Sequence, residues 1–132
     1  RRQRQMCIRD RSETEKALQL CGFSCVVCGW CQRSASGAPL VVGAHVKPIL
    51  ELERDCYDDI IALCPNHHAE FDAFLFYIDP ETRDIVYVGE NNSSVRPAAV
   101  DIRYVKKAHL AYRKYMAEKR NPQFDRPHSM CV

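Results

Sequence analysis

Asp59-Ile60-Ile61-Ala62-Leu63-Cys64-Pro65-Asn66-His67-His68-Ala69-Glu70-Phe71-Asp72 packs a strand, two metal-binding side chains and a helix start into fourteen residues. The run Ile60 to Leu63 is short, apolar and half β-branched, which suits a buried strand better than a helix. Cys64 and His67 follow in a C-x-x-H spacing. Pro65 between them stands where a helix begins, because its missing N–H is one that a first turn leaves unsatisfied anyway. A helix from Pro65 to Phe74 would place Phe71 and either Phe74 or Leu75 on one face.

Upstream, Cys25 and Cys28 form a C-x-x-C pair followed by Gly29, whose backbone freedom suits the tight turn of a metal knuckle. With Cys64 and His67 they make four ligands, the number and type that tetrahedral zinc requires. A set closed by four protein ligands is structural, and it would stabilise a small domain with a modest core. Cys28 and Cys31 form a competing pair, but Gln32 rather than glycine follows Cys31. A third reading is that these are buried free cysteines, against which stands the joint occurrence of two ligand spacings. Eight cysteines in 132 residues point to metal binding in a reducing compartment, hence to a cytoplasmic protein, rather than to a disulfide framework.

Working outward, Pro39 to Val46 is apolar and β-branched around Gly43 and predicts a second buried strand, broken at Pro48. Ser12 and Glu15 have the capping-box spacing, so a helix is expected over Glu13 to Leu20 with a stop near Gly22. A hairpin is expected from Phe74 to Ile78 and Ile85 to Val88 around Asp79, Pro80 and Glu81, followed by a loop from Asn91 to Pro97. Tyr104, Ala108, Ala111, Tyr112 and Tyr115 recur at helical spacing and predict a helix over 104–119. That face would be buried, leaving Arg103, Lys106, Lys107, Arg113 and Lys114 mostly outside. The class is α+β, with one domain over 12–120, a loose basic segment over 1–11 and a loose tail over 121–132. Cys7-Ile8-Arg9-Asp10-Arg11 back-translates as TGT ATA AGA GAC AG, which resembles a transposase sequencing adapter. Residues 1–11 would then be foreign, and the 14 bases and 16 acids left would turn the formal charge from +2 to −2.

No stretch of 18 apolar residues occurs, and the first residues lack the apolar core of a signal peptide, so neither a membrane span nor secretion is encoded. Charge is uneven. Residues 51–90 carry eleven acids and two bases, whereas 96–120 carry eight bases and two acids. The acidic stretch suits a cation and the basic one a polyanion, although a basic helix face is also an ordinary solvated surface. His68-Ala69-Glu70 matches the H-x-E of zinc deaminases, but their C-x-x-C follows that motif and here it precedes. H-E-x-x-H, P-loop and G-x-G-x-x-G patterns are absent.

His45, Asp59 and His68 remain, interleaved with the four ligands. Gly43-Ala44-His45-Val46-Lys47-Pro48 resembles the A-H-I-x-P string of the HNH endonucleases. Asp59 through Asp72 resembles their N-x-x-x-L-C-P-N-H-H-x-x-F-D. With the C-x-x-C-G at Cys25, the resemblance covers about residues 16–90. It implies a ββα-metal finger built from Leu40–Val46, Ile60–Leu63 and a helix from Asn66, with a structural zinc site, an added β-hairpin and flanking helices.

By the same resemblance, His45 would be the general base that takes a proton from the attacking water, a role suited to a side chain whose ordinary pKa is about 6.5. His68 would bind the catalytic divalent cation, Mg2+ or another, which stabilises charge on the phosphate and the leaving 3′ oxygen. Asp59 stands where the family has its central asparagine; it keeps an acceptor, exchanges a donor for charge and would bind a hard cation better. Ala44 stands where many members place a ligand, a form familiar in one branch. Asp72 would assist the metal or cap the site.

The implied activity is metal-dependent hydrolysis of DNA phosphodiesters, often within restriction or phage-defence proteins. RNA cleavage and a homodimer are left open. Because the acidic belt repels phosphate, Lys47, Arg54, Lys106, Lys107, Arg113 and Lys114 would supply the backbone contacts. The rival reading is a zinc-dependent nucleic-acid-binding module without catalysis, in which His45 and His68 are structural.

Overall fold

A computed structural model describes residues 11–47, 56–88 and 94–120. Arg54, most of the basic segment 1–11 and the tail 121–132 lie outside the described residues.

Helix α1 (Arg11–Leu20) ends as expected at a glycine, since Gly22 takes φ +66°, the left-handed conformation that closes helix C-termini. It starts two residues before Glu13, so Ser12 lies inside the first turn instead of capping it. Strand β1 (Val42–His45) is shorter than the apolar run that predicts it. It pairs antiparallel with β2 (Ile60–Leu63), His45 standing opposite Ile60 and Val42 opposite Leu63. All four residues of β2 are buried, which accounts for an apolar run without alternation. Both α1 and the next helix, α2 (Pro65–Asp72), pack on this ribbon. The expected ββα element is therefore present.

Helix α2 stops two residues before Phe74, where the chain turns through a left-handed Phe74 at φ +60°. Phe71 is consequently in the core while Leu75 stays 41% exposed. The expected hairpin follows as β3 (Phe76–Ile78) and β4 (Ile85–Tyr87), Phe76 opposite Tyr87. A third strand, β5 (Val95–Arg96), pairs with β4 where the sequence predicts a loop. Two residues flanked by serines and a proline offer no alternation to read.

Helix α3 (Lys107–Arg120) packs against β3 and corrects the expected helical face. Its buried residues are His109, Leu110, Arg113 and Ala117, whereas Ala108, Ala111 and Tyr115 are exposed and Tyr112 is half-buried. The error lies in letting small and aromatic residues outvote a histidine and an arginine, both of which find polar or aromatic partners inside. Among the described residues no helix is long and apolar enough to cross a membrane.

Gly43 sets how closely α1 sits on the ribbon. A Cβ at this position would lie 2.9 Å from the Thr14 Cγ2 methyl and 3.1 Å from the Ile60 Cγ2 methyl. Gly43→Ala should therefore cost about 1–3 kcal/mol of unfolding free energy, as overpacked cores do. Adding Thr14→Ser, which removes the nearer methyl, should recover part of that loss in denaturant titrations. A Gly43→Ala protein as stable as wild type would show that α1 is free to move away.

Candidate active site

Four side chains from two distant segments meet at one point. Cys25 and Cys28 come from the turn after α1, and Cys64 and His67 from the start of α2. Their ligand atoms all lie within 4.8 Å of one another. The turn has the expected basis: Gly29 takes φ +82° and its N–H donates to the Cys25 carbonyl at 2.8 Å. On the other side, Cys64 is the N-cap of α2, and its sulfur accepts the His67 N–H at 3.4 Å. His67 Nδ1 is 3.3 Å from Cys64 Sγ and 3.6 Å from Cys25 Sγ, and Cys28 Sγ is 4.0 Å from Cys64 Sγ. Tetrahedral bonding with the usual zinc bond lengths would separate such atoms by roughly 3.5–3.8 Å, so the set fits a tetrahedral metal ion. Cys31 is exposed and outside the cluster. Burial of the Cys28 sulfur, with the adjacent Cys25 and Cys64, pushes its thiol up to about 11. A bound cation would reverse that preference, because thiolate is the ligating form.

Beside the cluster, β1 and β2 position the other candidates. His45 is the last residue of β1 and is half-buried. Asp59 ends the 3-10 turn Tyr57–Asp59 that leads into β2, and it is fully buried. Its carbonyl accepts the Val46 N–H at 2.8 Å, and its Oδ1 accepts the Lys47 N–H at 2.9 Å. The two amides that follow His45 are thus both held by Asp59. His68, one residue beyond a cluster ligand, is partly exposed, with Nε2 3.7 Å from Asp72 Oδ2 one turn along α2. Among the described residues, His45, Asp59 and His68 form no second closed cluster.

Residues 25–79 match the family model described as HNH endonuclease. The matched segment, which holds both ligand pairs, is similar to the HNH endonucleases. Over 82% of its length the chain is also similar to a solved structure described as a modification-dependent TagI restriction endonuclease, with a TM-score of 0.70 and 25% identity. The chain spans 38% of that protein. No curated protein matches it.

Glu70 and Tyr87, to which the sequence assigns no role at the ligand cluster, stand beside it. His67 Nε2 lies 3.9 Å from Glu70 Oε1, and Tyr87 donates to the same oxygen at 2.5 Å. Burial and the Glu70 carboxylate push the Tyr87 phenol up to about 12, so it stays a donor. A carboxylate on the far nitrogen of a ligating histidine fixes the ring and its tautomer. From α3, beyond the HNH segment, His109 Nδ1 comes within 2.9 Å of Asp59 Oδ1, a contact with the distance but not the angle of a hydrogen bond. Burial lowers the His109 pKa although Asp58 opposes the shift, which favours the neutral ring. The sign available in the sequence is a histidine beside Leu110 on an amphipathic helix.

The basic set divides. Lys106 is 4.0 Å from Asp58 and Lys107 2.9 Å from Glu81, both with more than half of the side chain exposed. The Lys47 and Lys114 ammonium groups lie 5.3 Å and 5.9 Å from the Tyr112 and Tyr77 ring centres. Arg113 contradicts the expectation of a solvent-facing cation. It is 6% exposed, with its guanidinium 3.7 Å from the Phe71 ring centre and 4.1 Å from that of Phe74, donating to the Phe71 carbonyl. Burial draws its pKa down to about 10, which leaves it charged at neutral pH. A planar cation fits such an aromatic slot, which is why the arginine is inside.

The ligand set makes a specific prediction. Competition with a chromophoric chelator should show zinc affinity unchanged in Cys31→Ser and lowered about 10- to 100-fold in Glu70→Ala, the usual effect of removing a carboxylate behind a ligating histidine. A weakened Cys31→Ser would move the site to the Cys28 and Cys31 pair. An unchanged Glu70→Ala would leave His67 oriented by its helix alone.

Proposed function

We propose that the chain is the cleaving module of a metal-dependent endonuclease acting on DNA phosphodiesters, in a restriction or phage-defence setting. The observation that supports this reading is that His45 pairs with Ile60, the residue after Asp59, on the ribbon against which the helix carrying His68 packs, all within the segment that matches the HNH model. Similarity to a restriction endonuclease supports DNA as the substrate. Zinc at Cys25, Cys28, Cys64 and His67 has a structural role, holding α2 against the turn that carries the first two ligands.

His45 acts as the general base, accepting a proton from the water that attacks phosphorus. Asp59 keeps the backbone after His45 in place. A divalent cation bound by His68, with Asp72 beside it, would supply the positive charge that stabilises the phosphate and the leaving oxygen. Lys47, Lys106, Lys107 and Lys114, with Arg54 from outside the described residues, meet the DNA backbone; Arg113 is too buried to join them.

The decisive experiment is plasmid cleavage by wild type and His45→Ala, each with one zinc per chain, with magnesium, manganese or nickel supplied in turn. Wild type should convert supercoiled DNA, and His45→Ala should be slower by about 10²–10⁴-fold, the usual contribution of a general base, with zinc content and melting temperature unchanged. A folded, zinc-loaded wild type that binds DNA without cutting would establish the non-catalytic binding module instead. In binding titrations, replacing Lys106, Lys107 and Lys114 by glutamine should flatten the dependence of log K on log salt by roughly 0.9 for each phosphate that is no longer neutralised. An unchanged slope would place the DNA elsewhere.

A further inference from the structure

The geometry points to His109 as a positioning residue of the nuclease site, reaching from α3, outside the HNH segment, to hold the Asp59 carboxylate that fixes the backbone after His45. The inference rests on the nuclease reading for its functional consequence, but its structural half stands apart from it.

Asp59 is fully buried, and a carboxylate withdrawn from water needs compensating polar contacts. Its Oδ1 faces two groups at 2.9 Å, the Lys47 N–H and His109 Nδ1. One belongs to the exit of β1 and the other to α3, so this oxygen joins the two. His109 itself is 9% exposed. Its place is set by several further attachments between the approach to α3 and the same corner. The Lys106 N–H donates to the Asp58 carbonyl at 2.9 Å, and the Tyr104 hydroxyl donates to the Ile60 carbonyl at 2.5 Å. The Tyr104 ring stacks on Tyr57 with centres 6.1 Å apart. Lys47 in turn extends toward the Tyr112 ring one turn after His109.

Residues 104–112 therefore grip both the entry to β2 and the exit from β1. Between those grips stands His45, whose next two amides are bonded to Asp59. Without the His109 ring, the Asp59 carboxylate loses its contact with α3, and the acceptor of the Lys47 amide is held less firmly. His45 keeps its identity but not its placement, and small displacements of a reacting group cost up to about 10²-fold in rate.

The test uses the full zinc-loaded chain and three variants. Asn places an amide nitrogen near the Nδ1 position of histidine, whereas Gln places one near Nε2, so only Asn can replace the group that faces Asp59. His109→Ala and His109→Gln should lower kcat for plasmid nicking about 10- to 100-fold with KM for DNA within about twofold of wild type. Hydrogen exchange at the Lys47 amide should quicken in both, while the amides within β2 keep their protection. His109→Asn should retain both rate and protection. A general loss of stability would raise exchange everywhere and would not separate Asn from Gln. Should His109→Ala fail to fold, the Asn and Gln pair decides alone. Wild-type kcat and Lys47 protection in His109→Gln would overturn the proposal, as would a folded His109→Asn impaired as badly as His109→Gln. If wild type cuts no DNA, the nuclease reading fails, and Lys47 exchange alone still judges the contact.

Discussion

The convergence of three sulfurs and one imidazole nitrogen at the head of α2 is the constraint on which the other geometry depends. Cys25 and Cys28 are separated from Cys64 and His67 by more than thirty residues of chain, and the ribbon itself contributes only four residue pairs to bring the segments together. A tetrahedral ion held there would supply what a larger core supplies in a longer protein. Because Cys64 is both a ligand and the N-cap of α2, the same atoms that close the cluster also set where the helix starts. His68 follows His67 on that helix, so its direction is inherited from the cluster rather than chosen independently.

The second constraint is Asp59. In a continuous ββα unit, the chain between the strands must leave β1 and re-enter at β2, and here both passages meet at this carboxylate and its own carbonyl. The 3-10 turn before β2 is also held from α1, whose Glu13 Oε1 accepts the Tyr57 N–H at 2.8 Å. Asp59 Oδ1 meets both the Lys47 N–H and His109 Nδ1, so one buried oxygen ties the exit of β1 to α3.

Much of this was legible in the sequence because ligand chemistry is written in short spacings. C-x-x-C-G, the apolar run Ile60 to Leu63 and C-P-x-H each declare a local geometry, and the structure places all four ligands together. The boundaries were less legible: α1 starts early, α2 ends early, and β5 carries no alternation. The largest miss was the face of α3. Periodicity counts apolar residues, and this helix buries a histidine against a carboxylate and an arginine between two phenyl rings while leaving Tyr115 59% exposed. Those burials depend on partners more than 30 residues away in sequence, Asp59, Phe71 and Phe74, which no local window contains.

That miss also changes how the division of the chain is understood. The family segment 25–79 ends just after β3, and within it β3 would present Phe76 and Ile78 with neither β4 nor α3 against them. Both residues are fully buried here, in a core that also includes Ile85, Ile102, Val105 and Leu110 from beyond the segment. Arg113 closes the same side by covering Phe71, the one buried side chain of α2. The helix that meets the Asp59 corner through His109 is therefore the helix that completes the core. Stability and site geometry share one element, and a cut at the family boundary would remove both together.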